Sequence, residues 1–257
     1  MKFTSYTLIL TIGIIIFNSA LAESKEKVRA WGQMTEEPII IETKADMKNG
    51  ANVYEICAAC HLDEGWGRED GTFPQIAGQH RSVLVKQLAD ISAGNRDFPT
   101  MIDDSFLVGG ATIVPQSLAD VRICNIRINI VPQSLADVTA YISTLLMNPN
   151  NGFGEGNDLK HGEKLYKENC VKCHGETGYG SAEKFYPRIQ AQHYKYMLRQ
   201  FEWIRDGKRR NANPDMVRQI KSFTEKDMKA VIDYASRLRP PKKDIAPPDW
   251  VPPGAED

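Results

Sequence analysis

Residues 57–61 read CAACH, and residues 170–174, 113 positions later, read CVKCH. Each pentapeptide packs two thiols and an imidazole into little more than one turn of chain, which limits what can be built around it. The chain holds five cysteines, at 57, 60, 124, 170 and 173, so four of them sit in these two C-x-x-C pairs, each followed at once by His. A zinc site would have to draw its ligands from pairs 113 residues apart and would leave the repeated His unexplained. A thioredoxin-like redox pair needs one motif and no His. Covalent c-type haem uses all three side chains: the thiols become thioethers to the vinyl groups, and the next residue brings its imidazole under the iron. Cys57, Cys60 and His61, and again Cys170, Cys173 and His174, therefore read as attachment sites for two haem c groups.

The compartment agrees. Met1-Lys2 gives a short positive start, residues 8–17 are almost unbroken apolar chain, and Ala20-Leu21-Ala22 supplies small residues at a cleavage position. Residues 1–22 are expected to be a secretory signal peptide cleaved after Ala22. The apolar run is shorter than the roughly 20 residues a membrane-spanning anchor needs, and no Cys follows the site to carry a lipid. The expected location is the periplasm.

The repetition extends well beyond the motif. A shift of 113 aligns Gly65-Trp66-Gly67 with Gly178-Tyr179-Gly180, Phe73-Pro74 with Tyr186-Pro187, and Gln79-His80 with Gln192-His193. It then aligns Leu84, Leu88 and Ile91 with Met197, Phe201 and Ile204, an i, i+4, i+7 stripe in both copies, and Gly94 and Arg96 with Gly207 and Arg209. The duplicated unit is thus a domain. Apolar faces at Leu135, Val138, Tyr141, Ile142, Leu145 and at Met228, Val231, Tyr234, Ala235, Leu238 predict a closing helix in each copy, capped by Ser134-x-x-Asp137 and Thr224-x-x-Asp227. Further helices are expected over 45–56 and 158–169, before each motif. Gly50 stands seven residues before Cys57, whereas Gly162 stands eight before Cys170. With no long period-2 stretch the fold class is all-α, and helices this few need the porphyrin as most of each core.

The sixth iron position decides function, because an iron with two strong protein ligands shuttles electrons and one with an open site binds a substrate. Met101 lies 40 residues after His61 and Met216 lies 42 after His174, each two residues past a proline. That correspondence favours Met101 and Met216 as distal ligands. His80 and His193 also match, so bis-His ligation is a second reading, although a His opening a helix is more often a surface or propionate-contacting residue. Met197 and Met228 fall on apolar faces and read as core, and His161 reads as solvated.

One haem motif, a proline about a dozen residues later, a Met about 40 later and a closing helix with an aromatic residue resemble the class I cytochromes c. Two such units in tandem, the first carrying Phe73-Pro74-Gln75-Ile76-Ala77-Gly78-Gln79, are similar to the dihaem cytochrome c4 family across 45–239. The resemblance implies tandem class I cytochrome c domains, 45–150 and 158–239, and a hydrogen bond from Nδ1 of His61 and His174 to the carbonyls of Pro74 and Pro187. It also implies that the two haems approach each other across the domain interface. Gln190-Ala191-Gln192 departs from the family's Ala-Gly-Gln. Residues 23–44 form an N-terminal extension, and the Pro-rich tail 240–257 is expected to drape over the surface or stay disordered. IVPQSLADV occurs at 113–121 and again at 130–138, so 113–129 reads as a 17-residue tandem insertion. It contains Cys124, whose roles as free thiol, intermolecular disulfide or axial thiolate stay open.

The formal net charge of −1 hides an asymmetry: residues 49–157 carry 6 Lys or Arg against 12 Asp or Glu, and residues 158–240 carry 18 against 11. Arg205, Lys208, Arg209 and Arg210 then suggest a steering patch for redox partners. Balanced charge overall argues against nucleic acid. The expected function is that of a periplasmic dihaem carrier, not itself an enzyme. It would pass single electrons between redox protein partners: a quinol-oxidising complex or dehydrogenase on one side, an oxidase or reductase on the other. No membrane span remains after cleavage, and peripheral association with the membrane is left open. The alternatives are the haem subunit of a periplasmic dehydrogenase complex, or a dihaem enzyme with one labile axial ligand.

Overall fold

In each half the helix that leads into the haem motif crosses the closing helix at a glycine. A Cβ on Gly50 would collide with the carbonyl of Asp137 and the Cβ of Tyr141, and one on Gly162 with the carbonyl of Ala230 and the Cβ of Tyr234. The absence of a side chain lets the backbones touch, and the two crossings are built alike. The computed structural model describes residues 26–28, 39–41, 44–92, 96 and 132–254. Residues 1–22, expected to be a signal peptide, most of residues 23–44, Met101, and residues 113–129, read as an insertion containing Cys124, lie outside the described residues.

The first half comprises α1 (Met47–His61), α2 (Arg81–Ser92) and α3 (Pro132–Thr144). The second comprises α4 (Leu159–Asn169), α5 (Val171–His174), α6 (Tyr194–Arg205), α7 (Pro214–Ile220) and α8 (Glu225–Ser236). Among the described residues the fold is all-α apart from a small antiparallel ribbon, β1 (Glu26–Val28) against β2 (Ile39–Ile41), which lies beside α2 and α3. Each half has its own apolar cluster, Tyr54, Leu84, Val138, Tyr141, Ile142 and Leu145 in the first and Tyr166, Met197, Phe201, Ile204, Met228 and Val231 in the second. The stripes on α2 and α6 and the faces of α3 and α8 supply them.

The extra residue between Gly162 and Cys170 has a visible consequence. Gly50 and Gly162 must both sit at the crossing, so the surplus is absorbed before the motif. The single helix α1 of the first half becomes α4 and α5 in the second, interrupted at Cys170.

The two closing caps differ. Thr224 and Asp227 make a reciprocal capping box at the start of α8. Ser134 does not cap α3, because that helix already begins at Pro132. Asp137 instead turns to α1, accepting from the backbone N–H of Asp46 at 2.8 Å and from the amide of Asn49 at 2.7 Å.

The Pro-rich tail does not hang free. It leaves α8, forms a 3-10 turn at Lys242–Asp244, and pairs with Met147 through Met147 N–H to Asp244 O (2.8 Å) and Ala246 N–H to Met147 O (3.0 Å). It then crosses to the first half, where Trp250 packs on the apolar cluster and Tyr141 donates its hydroxyl proton to the carbonyl of Pro253 at 3.0 Å.

Candidate haem sites

Cys57, Cys60 and His61 occupy the C-terminal end of α1, and Cys170, Cys173 and His174 span the break and α5. None of these four thiols is in a disulfide. Cys57 and Cys170 lie against the apolar clusters of their halves, and burial, then the neighbouring Cys60 or Cys173, pushes each thiol up to about 12. Neutral thiols on apolar walls fit thioether attachment to a porphyrin and do not fit zinc, which binds thiolate. Nor do three His, Cys, Asp or Glu side chains converge on a metal position among the described residues.

The imidazoles are oriented by the loops that follow. Nδ1 of His61 lies 2.9 Å from the carbonyl oxygen of Pro74, and Nδ1 of His174 lies 3.1 Å from that of Pro187. A carbonyl only accepts, so Nδ1 carries the proton and Nε2 keeps a lone pair for a metal. Burial lowers the pKa of both rings, against the opposing pull of these hydrogen bonds, which favours the neutral ligand form. Each loop returns so close to the helix end that a Cβ at Gly67 or Gly180 would run into the proline carbonyl, and both glycines hold positive φ, 67° and 76°. The copies diverge above the imidazole: Phe73 sets its ring edge-on to His61 with centroids 6.1 Å apart, whereas the hydroxyl of Tyr186 reaches the thiol of Cys173.

Met216 sits in the first turn of α7, partly buried against the second cluster, and Asn213 caps that turn by accepting from the N–H of Asp215 at 2.8 Å. Met197 and Met228 are core residues. His161 is not simply solvated: its Nε2 bonds Asp227 at 2.7 Å.

His80 and His193 are neither surface residues nor available to iron. Nε2 of His80 donates to the carbonyl of Tyr179 at 2.7 Å, and Nε2 of His193 donates to the carbonyl of Trp66 at the same distance. Nδ1 of His193 also accepts from the N–H of Gly152. These bonds belong to a pseudo-twofold seam between the halves. The side chain of Gln192 accepts from the N–H of Gln75 at 2.9 Å and donates to its carbonyl at 2.7 Å. The side chain of Gln79 treats Arg188 identically, at 2.9 Å for both bonds. The 113-residue shift maps each donor–acceptor pair of one set onto the other. A Gln-His pair repeated at a helix start was the available signal, and its meaning emerges only when the halves are docked. Arg209 is likewise withdrawn from the surface patch: its guanidinium donates to Asn211, Gln200 and Gln87, the last across the seam.

Comparison with known proteins supports this architecture. The family described as cytochrome c oxidase, cbb3-type, subunit III, matches residues 157–234. The cytochrome c4 of Azotobacter vinelandii is 30% identical over 203 residues, covering 75% of this chain and 89% of its own. The crystal structure of reduced recombinant cytochrome c4 from Pseudomonas stutzeri superposes with a TM-score of 0.57 at 26% identity, over 76% of this chain and 100% of that one. The thiosulfate dehydrogenase TsdBA of Marichromatium purpuratum shares the fold, with a TM-score of 0.56 at 23% identity over 74% of this chain and 40% of its own. Duplicated class I cytochrome c domains with a haem site apiece define a dihaem electron-transfer cytochrome. The chain belongs to the cytochrome c4 family, and its cofactors are two covalently bound haem c groups.

Proposed function

We infer that this protein is a periplasmic carrier whose two irons are held by His61 with Met101 and by His174 with Met216. Cys57 and Cys60 anchor the first haem in this reading, and Cys170 and Cys173 the second. The bound haems supply one-electron cycling between Fe(II) and Fe(III). The chain contributes fixed imidazoles, whose Nδ1 protons are engaged by Pro74 and Pro187, and apolar walls that exclude water and so limit reorganisation. The observation that carries the reading is the matched pair of His-to-proline hydrogen bonds, which leave Nε2 free in both copies. The domains 45–150 and 158–239 act as one redox unit. Redox proteins are the partners, and among the described residues no helix is long and apolar enough to cross a membrane.

The test is absorption and EPR spectroscopy of the purified holoprotein, with carbon monoxide added to the reduced form. Two haems with methionine sulfur signatures and no response to carbon monoxide support a carrier with closed irons. Ready carbon monoxide binding points to an enzyme with a labile ligand. Co-purification in a stable heterocomplex points to a dehydrogenase subunit.

A further inference from the structure

The loop that ends in Pro187 orients His174 of the second domain, yet it is fastened by the first. Within the loop, Ser181 and Tyr186 exchange both backbone hydrogen bonds at 2.9 Å, and Gly180 donates its N–H to the carbonyl of His174 at 2.9 Å. Three contacts then cross the seam. Nε2 of His80 donates to the carbonyl of Tyr179, the hydroxyl of Ser82 donates to the carbonyl of Ala182 at 2.6 Å, and Phe185 packs on Val85, Leu135 and Ala136. Ser82 and Val85 lie on α2, Leu135 and Ala136 on α3, and all four are buried.

Phe185 holds an unusual backbone. Its φ is 57°, in the left-handed region that disfavours any residue with a Cβ. Among the described residues two other non-glycines share this sign, Leu62 and Ala191, and the repeat accounts for both. Their counterparts under the 113-residue shift are Gly175 and Gly78, with φ of 73° and 65°. Thr72, the counterpart of Phe185, is not in that region. The turn at Phe185 is therefore not inherited from the duplicated unit. What is particular to it is the ring seated on the apolar cluster of the first domain, and a disfavoured backbone persists only where its surroundings over-determine it. Two residues further on, the carbonyl of Pro187 meets Nδ1 of His174 at 3.1 Å. The matching loop of the first domain is held differently: Arg199 donates to the carbonyl of Thr72 at 3.3 Å, and a Cβ on Gly71 would strike the backbone of Tyr196.

We propose that Phe185 and Ser82 are positioning residues for the second haem, through which the first domain sets the strength of the hydrogen bond that Pro187 accepts from His174. This rests on the assignment of His174 as an axial ligand and deepens it. The bond lends electron density to the imidazole, which favours ferric iron. Loosening the clamp weakens the bond and raises the potential of the second haem. Coupling thus runs from the body of one domain to the iron of the other.

Ser82→Ala and Phe185→Ala test it, with Phe185→Leu as the conservative counterpart. Potentiometric titration resolves the two haems, and NMR of the reduced protein reads solvent exchange of the Nδ1 protons of His61 and His174. The expected result is a higher potential for the second haem, with exchange at His174 about tenfold faster, as the loss of about one net hydrogen bond implies. The first haem and the His61 proton should keep their wild-type values, and Phe185→Leu should recover most of both shifts. A fall in melting temperature with potentials and exchange unchanged would reduce these contacts to simple docking and overturn the proposal, as would equal shifts at both haems. Should Phe185→Ala shed its second haem, Ser82→Ala, which removes a single hydroxyl, decides on the same two readings. A wild-type protein without a covalent second haem, or with its second iron bound by a residue other than His174, would overturn this proposal together with the site assignment. Two haems with His174 bound and an unmoved Nδ1 proton would sink this proposal alone.

Discussion

Trp250, near the end of the tail, stacks on Trp66, five residues beyond His61, with ring centroids 6.2 Å apart and planes 23° from parallel. Trp66 is held from the other side by the His193 bond to its carbonyl and by its own indole N–H, which donates to the carbonyl of Leu146 at 2.9 Å. The strap that delivers Trp250 starts in the second domain. It is tied at the seam by Arg188, whose guanidinium meets Asp244 at 3.2 Å and the sulfur of Met147 at 3.3 Å.

Trp250→Ala should therefore destabilise the first domain, although the residue belongs in sequence to the far end of the second. Truncating a wholly buried Trp costs about 3–5 kcal/mol. Trp250 is only half-buried, so a loss of about 2 kcal/mol is expected. Chemical denaturation followed through the spectra of the separate haems reads it: the first haem's transition should move to lower denaturant, and equal movement of both would contradict a strap localised on the first domain.

The glutamine seam predicts cooperativity. In Gln192→Leu the N–H and carbonyl of Gln75 lose their partners, and a buried polar group left unsatisfied costs about 1–3 kcal/mol. Gln79→Leu should cost a similar amount at Arg188, by the pseudo-twofold relation. Calorimetry of the double variant should resolve two melting transitions where the wild type shows one. A single sharp transition in the double variant would mean that the domains are coupled elsewhere.

Much of this fold could be read from residue spacing, because a helix stripe or a capping pair is a local pattern. The matched faces at Leu84 and Met197 and the Thr224–Asp227 box are of this kind. The failures share a cause. Ser134-x-x-Asp137 carries a cap's signature, yet the helix starts two residues earlier at Pro132, and the first turn is where proline belongs in a helix. The seam contacts of His80, His193 and Arg209 and the docking of Trp250 have no sequence signature, because they join one domain to the other and a single copy of the repeat contains no information about docking. The haem-attaching residues were the most legible, since the chemistry demands them adjacent in sequence.

Stability should fall on acidification through the seam histidines. Burial lowers the pKa of both His80 and His193, with Arg188 adding to the effect at His80, while Glu69 and Asp70 oppose it at His193. The unfolded chain has ordinary imidazoles titrating near about 6.5. Below that pH the unfolded state binds protons that the folded state refuses, so stability is lost as pH drops through this value and until the folded-state values are passed. His193→Asn, which cannot titrate, should flatten the dependence of the melting temperature between pH 7 and 5. An unchanged slope would assign the acid sensitivity to other groups.

The helix crossings set two effects against each other. Gly162→Ala improves intrinsic helix propensity by about 1 kcal/mol, so an exposed position would gain stability. At Gly162 the added methyl meets the carbonyl of Ala230 and the Cβ of Tyr234, backbone and ring root that cannot rotate away. Overpacking of this type costs about 3 kcal/mol, because α4 must lift off α8. The crossing also fixes where Cys170, Cys173 and His174 fall, since α5 follows directly. The net expectation is a loss of about 2 kcal/mol confined to the second domain, with its haem spectrum broadened and the first haem's unchanged. A gain in stability in Gly162→Ala would show that the contact relaxes freely and that the glycine is not what sets the distance between the helices.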